Sequence, residues 1–246
     1  MEKIEEMISI IIPTLNEEKV LEKTILSLRK LNVCKYEIII SDGKSRDRTI
    51  EIAKKYADHV VVYEGATRQT IAMGRNLGAS IARGNYLVFI DADVFIPDIN
   101  NFFTKIINIL RNNKKLVGLT VFIKVFPGMD TFGDRFFWSI VNWGNYFFNN
   151  ILKSGSAIGE FQMIPADVFR RLNGYNEKIV VGEDAEMFSR LSHVGQVYTE
   201  SELHVFHTSR RAHNIGWSAL LLFFIKNSIY LRLFKRSSVL EWKPIR

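Results

Sequence analysis

The chain has 246 residues, 47% of them hydrophobic, enough for one large α/β domain with a substantial core and too many for a disordered chain. Its net charge is +7, but the 33 Lys and Arg residues are scattered and form no stripe, which argues against nucleic acid and leaves a phosphorylated substrate or an anionic surface as the partner of the excess base. The one cysteine, Cys34, excludes an internal disulfide, and no run of 18 uncharged apolar residues exists to span a membrane.

The charged opening Met1–Met7 does not read as a signal peptide, so a cytoplasmic protein is expected. Ile8–Ile12 is a β-branched run stopped by Pro13, and Asn16-Glu17-Glu18 follows as a helix N-cap with acids in the first turn. Val20, Leu21, Thr24, Ile25, Leu28 and Leu31 recur at helical spacing. Tyr36–Ile40 is a second buried strand, ended by Ser41-Asp42-Gly43, and Asp47 caps a helix through Tyr56. Val60–Tyr63 is a third strand. Thr67–Ala82 is helical by period, with Ile71, Leu77, Ala79 and Ile81 inward, and Arg68 and Arg75 then share one face. The run Asn85–Ile90 is a fourth strand, ending in Asp91-Ala92-Asp93. Alternating strands and helices imply an α/β fold with a mostly parallel sheet flanked by helices.

After residue 100 the pattern changes. Phe102–Leu110 and Leu116–Val125 read as helix and strand, and an aromatic-rich stretch covers 132–148. Phe161–Ile164 is strand-like, Asp167–Leu172 and Glu183–Leu191 are short helices, and Val197–His207 carries strand. The expected division is a nucleotide-binding half, 1–100, an acceptor half, 101–214, and an amphipathic helical tail, 215–246. Aromatics mixed with Lys and Arg suit a membrane interface, so 132–148 and the tail are candidates for peripheral contact with the cytoplasmic membrane face; a core or homodimer surface accounts for them equally.

Two carboxylates at the mouth of a buried strand are not there for packing, because buried unpaired charge is costly. Hard oxygen ligands suit Mg²⁺ or Mn²⁺, which take substrate phosphates as further ligands. Asp91 and Asp93 are therefore candidate metal ligands, at the strand end where open α/β folds bind ligands. Pro13–Glu17 and Ser41–Asp47 leave two other strands at their carboxyl ends, where the Asp42 carboxylate could accept the N–H of a nucleotide base or simply form an Asx turn. Arg68 and Arg75 are candidates for gripping pyrophosphate, or ordinary surface arginines. Glu183-Asp184 opens a helix, where dipole compensation alone favours acids.

Ile10–Glu18, Ile40–Asp47, Gly74–Ala79, Asp91-Ala92-Asp93 and Gly182-Glu183-Asp184 occur in an order that resembles family 2 glycosyltransferases of the GT-A fold. The resemblance implies metal-dependent transfer of a sugar, with inversion, from a nucleotide-diphosphate donor of UDP or GDP type to a hydroxyl acceptor, expected to be lipid-linked or near a membrane. Pro13, Leu15, Glu17, Asp42 and Ala92 would then line the donor site, with Arg68, Arg75, Arg210 and Arg211 on its phosphates. Asp184 would be the general base, with Glu183 assisting, and His207 would join Asp91 and Asp93 around Mn²⁺ or Mg²⁺. Ser41-Asp42-Gly43-Lys44 departs from the frequent Asp-Asp-Gly-Ser and leaves the base identity open. A retaining transferase of the same fold and a non-catalytic nucleotide-sugar-binding or membrane-assembly subunit are the competing readings; Asp91, Asp93 and Asp184 together argue against the second.

Overall fold

The computed structural model describes residues 4–208, 210–234 and 236–239. Seven strands form one sheet: β1 (Ile4–Thr14), β2 (Cys34–Asp42), β3 (His59–Val62), β4 (Tyr86–Phe89), β5 (Leu116–Val125), β6 (Gln162–Pro165) and β7 (Gln196–His207), in the order β3-β2-β1-β4-β6-β5-β7. The helices are α1 (Leu21–Leu28), α2 (Thr49–Tyr56), α3 (Ile71–Ser80), α4 (Ile99–Asn112), α5 (Phe132–Tyr146), α6 (Ala166–Arg171), α7 (Glu183–Ser192), α8 (Arg210–Ile215) and α9 (Trp217–Phe234), with a π-helical turn, Phe147–Ile151, continuing α5. The unalternating apolar runs of the central strands have their cause here, since both faces of the sheet are covered. Ile10, Ile12 and Val88 face one apolar cluster with α1 and α4, while Ile11, Ile39 and Phe89 face another with α3, α6 and α7.

Strands β3, β2, β1 and β4 run parallel, with Thr14 beside Asp42 and Ile11 beside Phe89, so the loops leaving β1, β2 and β4 emerge at one edge. The expected mostly parallel sheet has one exception. β6 runs antiparallel to β4, pairing Phe89 with Gln162, and this brings Gly159-Glu160 to the same edge as Asp91. β7 runs parallel to β5, and a short bridge between Phe95 and Phe206 ties the loop after Asp93 to the end of β7.

Two expected helix starts are displaced. Asn16 adopts a left-handed backbone, φ 56°, and its side chain accepts from the Arg46 amide at 2.8 Å, so Asn16–Glu18 knits two loops together and α1 begins only at Leu21. α3 begins at Ile71 under a Thr70 cap, leaving Arg68 on the preceding exposed loop and not on a shared face with Arg75. The inward face of α3 is Ala72, Gly74, Arg75, Gly78 and Ala79, while Ile81 is exposed and Ile71 and Leu77 only half-buried. The reason is proximity: a Cβ on Gly78 would stand 2.5 Å from Ile11 Cγ2, so only small side chains fit between helix and sheet. The tail helix α9 also differs from the amphipathic expectation. Trp217, Leu220, Leu221 and Phe224 pack against the core, yet Leu222, Ile225, Ile229 and Leu233 are exposed on its other side. Among the described residues no helix is long and apolar enough to cross a membrane.

Gly78→Ala should destabilise the protein by about 1–3 kcal/mol, the usual scale for forcing one methyl into a closely packed contact, although alanine is the better helix former. Urea unfolding at constant slope measures it; unchanged stability would mean that α3 moves away from β1 freely.

Candidate active site

The edge where β1, β2, β4 and β7 end is built by two sets of contacts. The first secures the floor. Asp42 is fully buried and accepts from Thr14 Oγ1 at 2.9 Å, Ser45 N at 2.7 Å and Ser45 Oγ at 2.6 Å. Its carboxylate is thus consumed in holding the β1 and β2 loops together, the turn-forming role that competed with base reading. Pro13 and Leu15 are half-buried at this floor, and the Glu17 amide donates to Thr49 Oγ1 at 2.7 Å. Ala92 faces the core, and its carbonyl accepts from Thr24 Oγ1 at 2.7 Å.

The second set centres on Arg75. Instead of gripping pyrophosphate at the surface, this arginine is 1% exposed. Nη1 donates to Glu183 Oε1 at 2.8 Å, Nη2 to the Gly159 carbonyl at 3.2 Å, and Asp91 Oδ1 lies at 3.5 Å. The Tyr175 ring stacks below the guanidinium at 5.3 Å. Burial opposes the guanidinium's charge, but Glu183 and the other acids hold its pKa above the ordinary value. Arg75 therefore joins α3, the approach to β6, the mouth of β4 and the start of α7. Glu183 is its counter-ion; burial and the neighbouring Asp184 push the Glu183 carboxyl up to about 8 against the pull of Arg75.

Asp184 sits one residue into α7, after Gly182 in a left-handed conformation, φ 84°. Oδ1 accepts from the Ala185 amide at 2.7 Å, and desolvation raises its proton affinity against the pull of Arg75. The tail holds this loop from behind: Asn227, buried on α9, donates to the Val181 carbonyl at 2.8 Å, and Ser237 Oγ accepts from the Val180 and Val181 amides. Nothing in the apolar pattern of α9 singles out Asn227.

Asp91 keeps 40% of its side-chain surface open, and desolvation raises its pKa, with Asp93 adding to the effect. Asp93 is bound by Thr208 and by Arg210 Nη2 at 3.1 Å, and the same Arg210 nitrogen reaches Glu17 at 3.2 Å. Arg210 thus sits within the site, bridging two acids. The Arg211 side chain lies outside the described residues. His207 is buried, edge-on to Trp138, with Nδ1 3.6 Å from Glu160; desolvation lowers it to about 4, leaving a neutral imidazole. Its neighbour His204 points to the opposite, half-buried side of β7. His213, exposed on α8, bonds the buried Asp134 at 2.9 Å.

The sequence reading missed Glu160. Desolvation and the nearby Asp91, Asp184 and Asp93 raise it well above the ordinary carboxylate value, and its buried Oε2 has no hydrogen-bond partner. No local motif marks it; only the antiparallel pairing of β6 brings it to Asp91. Among the described residues no three His, Cys, Asp or Glu side chains converge into a ready metal cage. What the edge offers is an excess of carboxylate oxygens, one of them orphaned. That donor set suits a hard divalent cation able to take its remaining ligands from phosphate and water.

Arg75→Met should destabilise the fold by about 3–5 kcal/mol, the cost of stranding a buried charge, and Glu183→Gln on top of it should recover part of that loss. Chemical unfolding of the two variants checks this; a neutral Arg75→Met would deny the pair its structural role.

Comparison with known proteins follows from this geometry. Residues 9–172 match the model of glycosyl transferase family 2. An uncharacterized glycosyltransferase of Haemophilus influenzae is 36% identical over 110 residues, 44% of this chain and 43% of that protein, so the match spans less than half of the relative. The mannosyltransferase PcManGT of Pyrobaculum calidifontis, solved with GDP-Man and Mn²⁺, superposes with a TM-score of 0.65 at 16% identity, over 94% of this chain and 71% of that one. Glucosyl-3-phosphoglycerate synthase of Mycobacterium tuberculosis, solved with Mn²⁺, UDP and glucosyl-3-phosphoglycerate, superposes with a TM-score of 0.59 at 18% identity, over 89% and 78% of the two chains. These likenesses establish a GT-A-like fold. Asp184, His207 and Arg210 lie beyond the matched family span, and it is the folded structure that brings them to the edge beside Asp91 and Asp93. The chain belongs to glycosyl transferase family 2.

Proposed function

We propose that the enzyme transfers a sugar, with inversion, from a nucleotide-diphosphate donor of UDP or GDP type to the hydroxyl of an acceptor held near a membrane. The observation that carries this is the Arg75 lock, which holds the start of α7, and with it Asp184, against the mouth of β4. Glu183 is committed to Arg75, so Asp184 is the acid left to act as base. The floor between β1 and β2 receives the nucleotide, as carboxyl-end crevices of α/β sheets do. The GDP-Man, UDP and Mn²⁺ complexes of the two solved relatives support a donor of this class.

Asp184 takes the proton of the acceptor hydroxyl as its oxygen attacks the anomeric carbon, and the bond from that carbon to the diphosphate breaks on the opposite face. Burial raises the proton affinity of Asp184, which suits a carboxylate to this task. Arg210, poised between Glu17 and Asp93, is placed to turn toward the departing diphosphate. Asp91 and Asp93 would hold Mn²⁺ or Mg²⁺, with neutral His207 behind them; the ion would supply charge neutralisation for the leaving group.

Asp184→Asn should leave donor affinity intact while turnover falls by roughly two to four orders of magnitude, the usual scale for loss of a general base. Calorimetric titration of donor alongside single-turnover rates checks both halves; collapse of donor affinity would make Asp184 a structural or donor-binding residue.

The acids also give a stability signature. Between the ordinary value of 4.5 and about 8 the folded Glu183 holds more protons than the unfolded chain, so its contribution is full at low pH and is lost as pH rises through that window. Thermal stability should therefore fall as pH rises between 4.5 and about 8, and Mn²⁺ should raise it more at the higher pH because protons compete with the cation for Asp91, whose pKa is raised. Asp93→Ala should remove the Mn²⁺ effect in differential scanning fluorimetry. Full activity in a chelator would overturn the metal assignment.

A further inference from the structure

The outer side of α5 carries a feature that sugar transfer does not use. Phe132, Phe136, Ile140, Trp143, Phe147 and Ile151 follow one another at steps of three or four residues, so they lie on one helical face, and each is 46–82% exposed. That stripe runs about 28 Å at 1.5 Å per residue. α9 packs against α5, with the Phe137 and Trp217 rings 4.4 Å apart, and it has a similar outer stripe in Leu222, Ile225, Ile229 and Leu233. Apolar residues exposed in this number along two helices that pack on each other mark an interaction surface.

Charge selects the occupant. From Leu203 to Leu240 the sequence contains no acid and, besides the Arg210 held in the active site, five bases: Arg211, Lys226, Arg232, Lys235 and Arg236. Between Thr131 and Gly159 the only acid is Asp134, which is buried and bonded to Thr131 and His213. A second copy of the chain would bring like charge against like. A sheet of anionic headgroups over an apolar interior complements both the bases and the stripes, and Trp and Phe favour that boundary. We infer that α5 and α9 form a docking face for an anionic lipid bilayer, on which the enzyme lies without spanning it. The face is coupled to the active site by the chain itself: β7 ends at His207, α8 follows with Arg210, and His213 bonds Asp134 in the first turn of α5. α9 in turn holds the loop before Asp184 through Asn227. A docked enzyme therefore presents its acceptor side next to the lipid surface.

The test reads binding alone and so stands or falls apart from the transfer chemistry. The full chain is floated with vesicles of phosphatidylcholine, with phosphatidylcholine containing phosphatidylglycerol, and without vesicles, and its mass is measured by light scattering. Anionic vesicles should recover at least about tenfold more protein than neutral ones, and the excess should shrink at high salt as exposed charges are screened. Phe136→Ser combined with Trp143→Ser should abolish flotation, and Lys226→Glu should weaken it, with the thermal unfolding midpoint unchanged because all three side chains are exposed. Equal recovery in all three conditions would overturn the proposal. So would a dimer in solution that the double substitution converts to monomer, since the face would then belong to a second copy.

Discussion

The buried pair between Arg75 and Glu183 is the contact on which the active-site edge depends. A guanidinium inside a protein is tolerable only when its charge is matched and its donors are used. Here Glu183, Asp91 and Asp184 together match the charge, Glu183 and the Gly159 carbonyl accept from it, and the Tyr175 ring covers one face. Those partners come from α7, the segment before β6, the mouth of β4 and the chain after α6. One side chain thereby ties α7 and the chain after α6, neither of them part of the sheet, to the paired ends of β4 and β6. The same geometry separates two adjacent acids: Glu183 bonds Arg75, while Asp184 accepts only from the Ala185 amide among the hydrogen bonds described.

Around that lock the edge is richer in acid than in base. Glu17, Asp91, Asp93, Glu160, Glu183 and Asp184 stand against Arg75 and Arg210, with His207 driven neutral by burial. Like charges in a poorly solvated cleft raise one another's proton affinity, and Glu160, with its orphaned oxygen, carries this furthest. The whole chain is basic, but the cleft is not. In sequence, the excess base lies largely in the last part of the chain, after Leu203.

The tail is better regarded as part of the enzyme than as an appendage. Its inner face completes the apolar core through Trp217, Leu220 and Phe224, and Asn227 and Ser237 satisfy backbone groups of the loop that carries Asp184. A loop with free amides and carbonyls would be mobile; four side-chain bonds from behind make it a fixed platform. Its outer face remains apolar, which a helix that merely packed on the core would not need.

The apolar runs located the strands: β5 lies at Leu116–Val125, where the sequence pattern puts it, and Asp91 and Asp93 stand at a strand's mouth. Local pattern also located Glu183 and Asp184 at a helix start. It misled where packing distance, not hydropathy, decides. α3 turns its small residues inward because β1 is too close for Leu77 or Ile81, and that close approach carries Arg75 into the interior. Asp42 reads as an open carboxylate until Thr14 and Ser45 are seen to occupy it. Glu160, Asn227 and Arg210 acquire their places only through an antiparallel strand, a returning tail and a bridge from β7 to the Asp93 loop. Periodicity reports which side of an element is apolar, whereas the charge environment of a carboxylate depends on contacts between residues far apart in the chain, and those exist only once the fold has closed.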